Sequence, residues 1–193
     1  MMNDHNPQGK DIRFIDSHYT DLFRVPDGGY IQVDYPDETV IKPCKFLDEY
    51  HTQIGTNVFH ICEFAERMER IGANYQAEPP IMGDEAAWKI SRDSFLMLQS
   101  CDDGYDYTLY DRDFQLLDGG QLDDPEMTML EARNAILAEH GFQHRELRAV
   151  PCDILMEQVE KRESRESVME KLKEASGIVA PAKGSHKHTG PEL

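Results

Sequence analysis

The chain has 193 residues, 39% of them hydrophobic, which is enough for one core or for two small lobes sharing one. Thirty-seven Asp and Glu stand against twenty Lys and Arg, giving a net charge of -17 at pH 7. A surface this acidic repels phosphate, so DNA, RNA and anionic membranes are excluded as direct partners, leaving a basic protein or plain solubility.

The first residues lack a basic segment followed by an apolar one, so no secretory signal is expected, and no apolar run reaches the ~18–20 residues of a spanning helix. Cys44, Cys62, Cys101 and Cys152 are scattered and form no CxxC pair. They read as reduced core cysteines of a cytoplasmic protein.

Residues 1–10 are polar and expected to be loose. Short strand-like runs follow at 13–15, 22–25, 30–33, 40–41 and 58–59. Between the second and third lies Pro26-Asp-Gly-Gly29, the chemistry of a tight hairpin turn. Ile61, Phe64, Ala65, Met68 and Ile71 then recur at helical spacing, and Gly72 is placed to stop that helix. Residues 74–84, with Pro79, Pro80 and Gly83, read as a linker.

Extended runs resume at 87–90, 95–98 and 105–110, the last alternating with period two. Residues 114–117 lead into a second Asp118-Gly-Gly120 turn. Thr128-Met-Leu-Glu131 has the form of a capping box and opens a helix to about His140, with Gly141 at its end. Residues 145–150 are expected to add an edge strand. Pro151 and Asp153 introduce a last helix whose apolar residues thin out after Val159, so that it projects or frays. The fold class is therefore α+β: short antiparallel strands and hairpins with amphipathic helices, plus a C-terminal helix. The expected division is a lobe at 11–76, a lobe at 84–175, and flexible tails at 1–10 and 177–193.

An internal echo links the halves. Tyr19, Phe23, Asp27, Gly28, Gly29 and Ile31 match Tyr110, Phe114, Asp118, Gly119, Gly120 and Leu122, each 91 positions on. This reads either as two related ββα-type lobes or as the same turn chemistry used twice.

No motif names a reaction, and no catalytic residue, metal or cofactor is expected. His51, His60 and Cys62 are the only Cys/His group close in sequence, and they match no metal or nucleophile signature. A hydrolase or nuclease built on them, or on a metal held by Asp16, Asp27 or Asp48, stays open as the lesser alternative. The segment 102–126 is distinctive. It holds Asp102, Asp103, Asp106, Asp111, Asp113, Asp118, Asp123, Asp124 and Glu126 against the single base Arg112, with Tyr105, Tyr107 and Tyr110 interleaved. It reads either as solvated acidic surface or as a partner-binding surface that imitates a phosphate backbone.

Several blocks carry a resemblance: Ile15-Asp-Ser-His-Tyr19, 22–29, 44–51, 60–69, 104–111 and 118–127. Together they resemble large-polyvalent-protein-associated domains and small accessory proteins of conjugative elements in gut Firmicutes, over about residues 12–160. The resemblance implies a mobile-element accessory protein that helps an incoming element establish itself, with no catalytic residues to carry over. Joined to the acidic charge, it points to an anti-CRISPR-like inhibitor whose partner is a basic nucleic-acid-binding protein such as a Cas nuclease. A structural or regulatory subunit of conjugation or plasmid maintenance is the alternative.

Overall fold

A computed structural model describes residues 10–177. The expected looseness of the tails falls on residues outside that range, apart from Lys10 and Gly177. The elements in order are β1 (Asp11–Ile15), β2 (Asp21–Pro26), β3 (Tyr30–Asp34), β4 (Thr39–Phe46), β5 (His51–Ile54), β6 (Asn57–His60), α1 (Ile61–Ile71) and β7 (Asn74–Ala77). They continue with β8 (Glu85–Ser91), β9 (Ser94–Cys101), β10 (Gly104–Asp111), β11 (Leu116–Leu122), α2 (Met129–Glu139), β12 (Leu147–Val150) and α3 (Cys152–Gly177). The fold is α+β, and every strand pairing among the described residues is antiparallel.

β1 and β2 form a separate ribbon, and the other strands share one sheet in the order β11-β10-β9-β8-β12-β4-β3-β7, with β5 and β6 branching from β4. β12 was expected at an edge but sits at the centre, joining β4 of the N-terminal half to β8 of the C-terminal half. Its fully buried Leu147 explains the position, because a strand covered on both flanks anchors the sheet through its inward side chain. The segment at 74–77 is likewise a strand and not a linker. It pairs with β3 and turns only Tyr75 inward, so no alternation marks it in the sequence.

Three cores follow. Phe14, Ile31, Val33, Phe59, Phe64 and Met68 fill the space between the β1–β2 ribbon, α1 and the N-terminal sheet. Trp88, Ile90, Leu96 and Leu98 meet Ala132, Ile136 and Leu137 of α2 on one face of the C-terminal sheet. On the other face Ala87, Met97 and Tyr110 meet Leu155 and Val159 of α3. Burying each such aliphatic side chain contributes ~1.5–3 kcal/mol, so α3 is held by its first turns alone. From Glu163 to Glu174 every residue is exposed, and the expected projection is observed.

Both predicted helix ends hold. Gly72 lies at φ 68 and Gly141 at φ 71, left-handed conformations that favour glycine after a helix. Thr128 and Glu131 form the reciprocal capping box at the start of α2.

The two Asp-Gly-Gly sites differ from each other. Asp27-Gly28 is a turn, with Gly28 at φ 83, but β2 and β3 do not pair. It switches the chain from ribbon to sheet instead of closing a hairpin, held by the Phe46 amide donating to Asp27 Oδ1 at 2.8 Å. Asp118-Gly119-Gly120 is no turn at all, since it lies inside β11. A Cβ on Gly120 would sit 2.9 Å from the Tyr107 ring, so that glycine serves close approach and not a positive φ. The echo at 91 positions therefore does not join equivalent places. A different one does, at a spacing read from the turns themselves. Asp16 Oδ1 accepts from the His18 and Thr20 amides, and Asp111 Oδ1 accepts from the Asp113 and Gln115 amides, each at 2.8 Å. Tyr19 and Phe114 both take left-handed backbone, at φ 66 and φ 59. Each hairpin also carries a register shift at the matching place, Phe14/Ile15 and Leu109/Tyr110.

Candidate functional site

The acidic segment forms one edge of the large sheet. β10 pairs with β9 on one side and β11 on the other, and β11 pairs with β10 alone. Leu116 and Leu117 on β11 are 61% and 57% exposed, and the strand holds one charge, Asp118. An exposed edge without Lys or Pro leaves a row of backbone donors and acceptors able to pair with another chain.

The twelve expected contact residues divide by their place on this edge. Asp102 and Asp103 form the β9–β10 turn, and Asp123, Asp124 and Glu126 follow β11 at the same end of the sheet. Asp111 and Asp113 lie at the opposite end, the full length of the eight-residue β10 away, roughly 25 Å at 3.4 Å per residue. Asp106 and Asp118 fall between. The carboxylates thus trace a line along the edge and do not form a compact patch.

Their freedom also differs. Asp111 is committed to its turn, and Asp124 Oδ1 accepts from the Glu126 amide at 3.1 Å. Asp113 lies 3.6 Å from Arg112. Asp102, Asp103, Asp106 and Asp123 are exposed and have no hydrogen-bond or ion-pair partner among the described residues. Tyr110 is corrected outright. It is 8% exposed and packed among Ala87, Met97 and Leu155, so it supports the sheet from inside and offers nothing to a partner.

Tyr105 and Tyr107 face α2. The Tyr105 hydroxyl donates to the Met127 carbonyl at 3.0 Å. The Tyr107 hydroxyl donates to Asp118 Oδ2 at 3.4 Å, and its ring meets His140 edge-on at 6.0 Å. His140 Nε2 is 3.3 Å from the same Asp118 oxygen but lacks hydrogen-bond geometry to it. Burial first, and then the Asp118 carboxylate, push the Tyr107 phenol above its ordinary value.

The two histidines of the Cys/His group hold local structure. His51 and His60 oppose each other across β5 and β6, with rings 5.4 Å apart. His51 Nδ1 is 2.9 Å from Asp48 Oδ1, while His60 Nδ1 accepts from the backbone amide of Cys62 at 3.3 Å and so caps α1. No ring nitrogen is aimed at the Cys62 sulfur by these contacts. The three aspartates weighed as metal ligands each hold a turn: Asp16 and Asp27 as above, and Asp48 through the Tyr50 and His51 amides at 2.8 Å. Those amide bonds, that of Thr20 first for Asp16 and that of Tyr50 first for Asp48, hold both carboxyls below their ordinary value. Among the described residues, no group of three or more His, Cys, Asp and Glu is arranged to hold a metal ion, and no helix is long and apolar enough to cross a membrane.

One feature escaped the sequence reading. Lys89, Arg92, Arg145 and Arg148 line a common cleft, although more than fifty positions separate the first from the last. Only the pairing of β12 with β8 brings them together.

Residues 82–162 match the model of a family described as large polyvalent protein-associated domain 16. That segment, which spans β8 to the first turns of α3, is similar to the large-polyvalent-protein-associated type; the resemblance drawn from the sequence reached further, into the N-terminal half. No curated protein and no solved structure matches the chain.

Proposed function

We propose that this chain is a non-catalytic accessory binding protein of a bacterial mobile element, acting in the cytoplasm. It docks through the β10–β11 edge on a basic nucleic-acid-handling enzyme and occupies that enzyme's nucleic-acid-binding surface. A host defence enzyme of the Cas nuclease type is the target class, which makes the protein anti-CRISPR-like. The observation that carries the reading is the bare β11 edge, with Leu116 and Leu117 exposed beside carboxylates that no internal partner neutralises. Strand addition to such an edge supplies affinity through main-chain hydrogen bonds. The line of carboxylates supplies steering and selects a basic partner.

The test is a pull-down from host lysate at low and high salt, repeated with Asp102, Asp106 and Asp123 reversed to Lys. Asp111 is left alone because its reversal would break the turn. Recovery of a basic nuclease that salt releases and the reversals abolish is the expected result. Capture indifferent to both salt and reversal would sink the reading.

One observation favours a second reading. Val168, Met169 and Leu172 are exposed on the unsupported part of α3, at a spacing that puts them along one side of the helix. A structural or regulatory subunit of conjugation or plasmid maintenance would bind there. Truncation after Arg162 would remove that activity and spare the edge.

A further inference from the structure

The cleft opposite in charge to the rest of the surface supports a conclusion independent of the docking edge. Its volume is about 520 Å³, within the range of small-molecule sites. Three segments build it: the β5–β6 turn with Gly55 and Thr56, the β8–β9 hairpin with Lys89 and Arg92, and the loop into β12 with Arg145, continued by Arg148 on β12 itself.

In a chain whose acids outnumber its bases 37 to 20, cations should find carboxylates easily. Here they do not. Among the described residues no carboxylate lies within ion-pair distance of Lys89, Arg92 or Arg145. Arg148 reaches Glu38 at 3.2 Å and Glu146 at 3.9 Å, and Glu146 is itself held by Lys42 at 2.6 Å. Lys89 and Arg148 also stand directly opposite across β8 and β12, and like charges so placed destabilise a sheet. His144, on the cleft wall, takes left-handed backbone at φ 60, a conformation costly for a residue with a Cβ and common at functional sites. Lys89 and Arg145 lie over the Phe95 and Phe142 rings, at 5.8 and 5.0 Å, so three cations without a paired carboxylate and a left-handed residue coincide in one hollow.

We infer that this cleft binds a compact oligophosphate, the phosphate chain of a nucleotide or a free polyphosphate. Guanidinium groups recognise phosphate oxygens through paired, charge-assisted hydrogen bonds. The ligand is short because the cleft is an island. Glu146 is the one carboxylate in its lining and is already engaged by Lys42 and Arg148, and a nucleic acid running beyond it would meet the carboxylates of a chain carrying -17. An oligophosphate held within it meets four cations and a single, already paired carboxylate.

The test is calorimetric titration of the full chain with inorganic tripolyphosphate, with ATP, and with a single-stranded oligonucleotide. Tripolyphosphate and ATP are expected to bind with 1:1 stoichiometry and to compete. Equal affinity would identify the phosphate chain as the whole determinant, and tighter ATP binding would add a contact to the nucleoside. Arg92→Ala with Arg145→Ala changes two exposed residues. It is expected to weaken tripolyphosphate binding about tenfold or more, with an unchanged melting curve. The control pair Arg112→Ala with Arg165→Ala makes the same change in net charge elsewhere and is expected to leave binding intact. Absence of saturable tripolyphosphate binding, equal losses in both pairs, or an oligonucleotide that binds without competition from tripolyphosphate would each overturn the inference.

Discussion

The β1–β2 and β10–β11 hairpins use the same five-residue turn, from Asp16 to Thr20 in one and from Asp111 to Gln115 in the other. Their surroundings differ. In the first, Ile12, Phe14, Ile15 and Val25 are buried, Phe14 stacks on Phe23 at 4.8 Å, and the Tyr75 hydroxyl reaches across to the Ile15 carbonyl. In the second, β10 is half inside and β11 is open along its length, with glycine where a side chain would strike Tyr107. Turn chemistry therefore sets the bend and the bulge, and says nothing about whether the returning strand is covered. β11 differs in extending the large sheet with no buried residue of its own, whereas β2 sends Val25 into the core.

Mutations can break that contrast, and their expected costs fall in a clear order. Phe14→Ala removes a core ring from the covered hairpin and should cost ~3–5 kcal/mol, read from denaturant unfolding. Arg133→Met attacks the seam between the halves. Arg133 on α2 is fully buried, ion-paired to Glu78 through both oxygens, and held between Tyr30 and Trp88 at 5.0 and 5.3 Å. Stranding Glu78 should cost ~3–5 kcal/mol, and adding Glu78→Gln should restore part of it. Gly120→Val drives a side chain into the Tyr107 ring and should cost ~1–3 kcal/mol in melting experiments. Leu116→Ser with Leu117→Ser should stay within ~0.5 kcal/mol of the parent stability while sharply reducing partner capture. The smallest effect concerns pH. Because amide bonds lower the folded Asp16 carboxyl below its ordinary 3.8, its contribution is complete above the unfolded value and is lost as pH falls through the folded one. An NMR titration should find it below the ordinary value, and Asp16→Asn should flatten that part of the acid limb.

Much of this was legible in the sequence, for identifiable reasons. α1 and α2 announced themselves through periodicity and caps, which are local. The alternation at 105–110 was equally local, whereas the hairpin expected at Pro26–Gly29 does not form, because β2 pairs back on β1. What failed was whatever depends on a distant partner. The Asp118-Gly-Gly120 stretch looked like a turn because glycine has two uses, and only the position of Tyr107 shows which applies. β7 has one inward residue, so its pairing with β3 left no pattern. Tyr110 looked like an interface tyrosine because nothing nearby reveals that Leu155 and Val159 cover it. The basic cleft was invisible for the same reason, since its arginines and lysine meet only through strand register.

The central place of β12 has a consequence in time. Its residues are made after both of the strands they join, and long-range pairings of this kind close late. During synthesis the N-terminal core, which draws on residues no later than Tyr75, is complete in sequence well before Leu147 emerges. Until then β4 and β8 each present an unfilled flank to the cell. The half-made protein therefore passes through an interval in which two open strand edges await one short segment, and chaperones or aggregation compete for them during that wait.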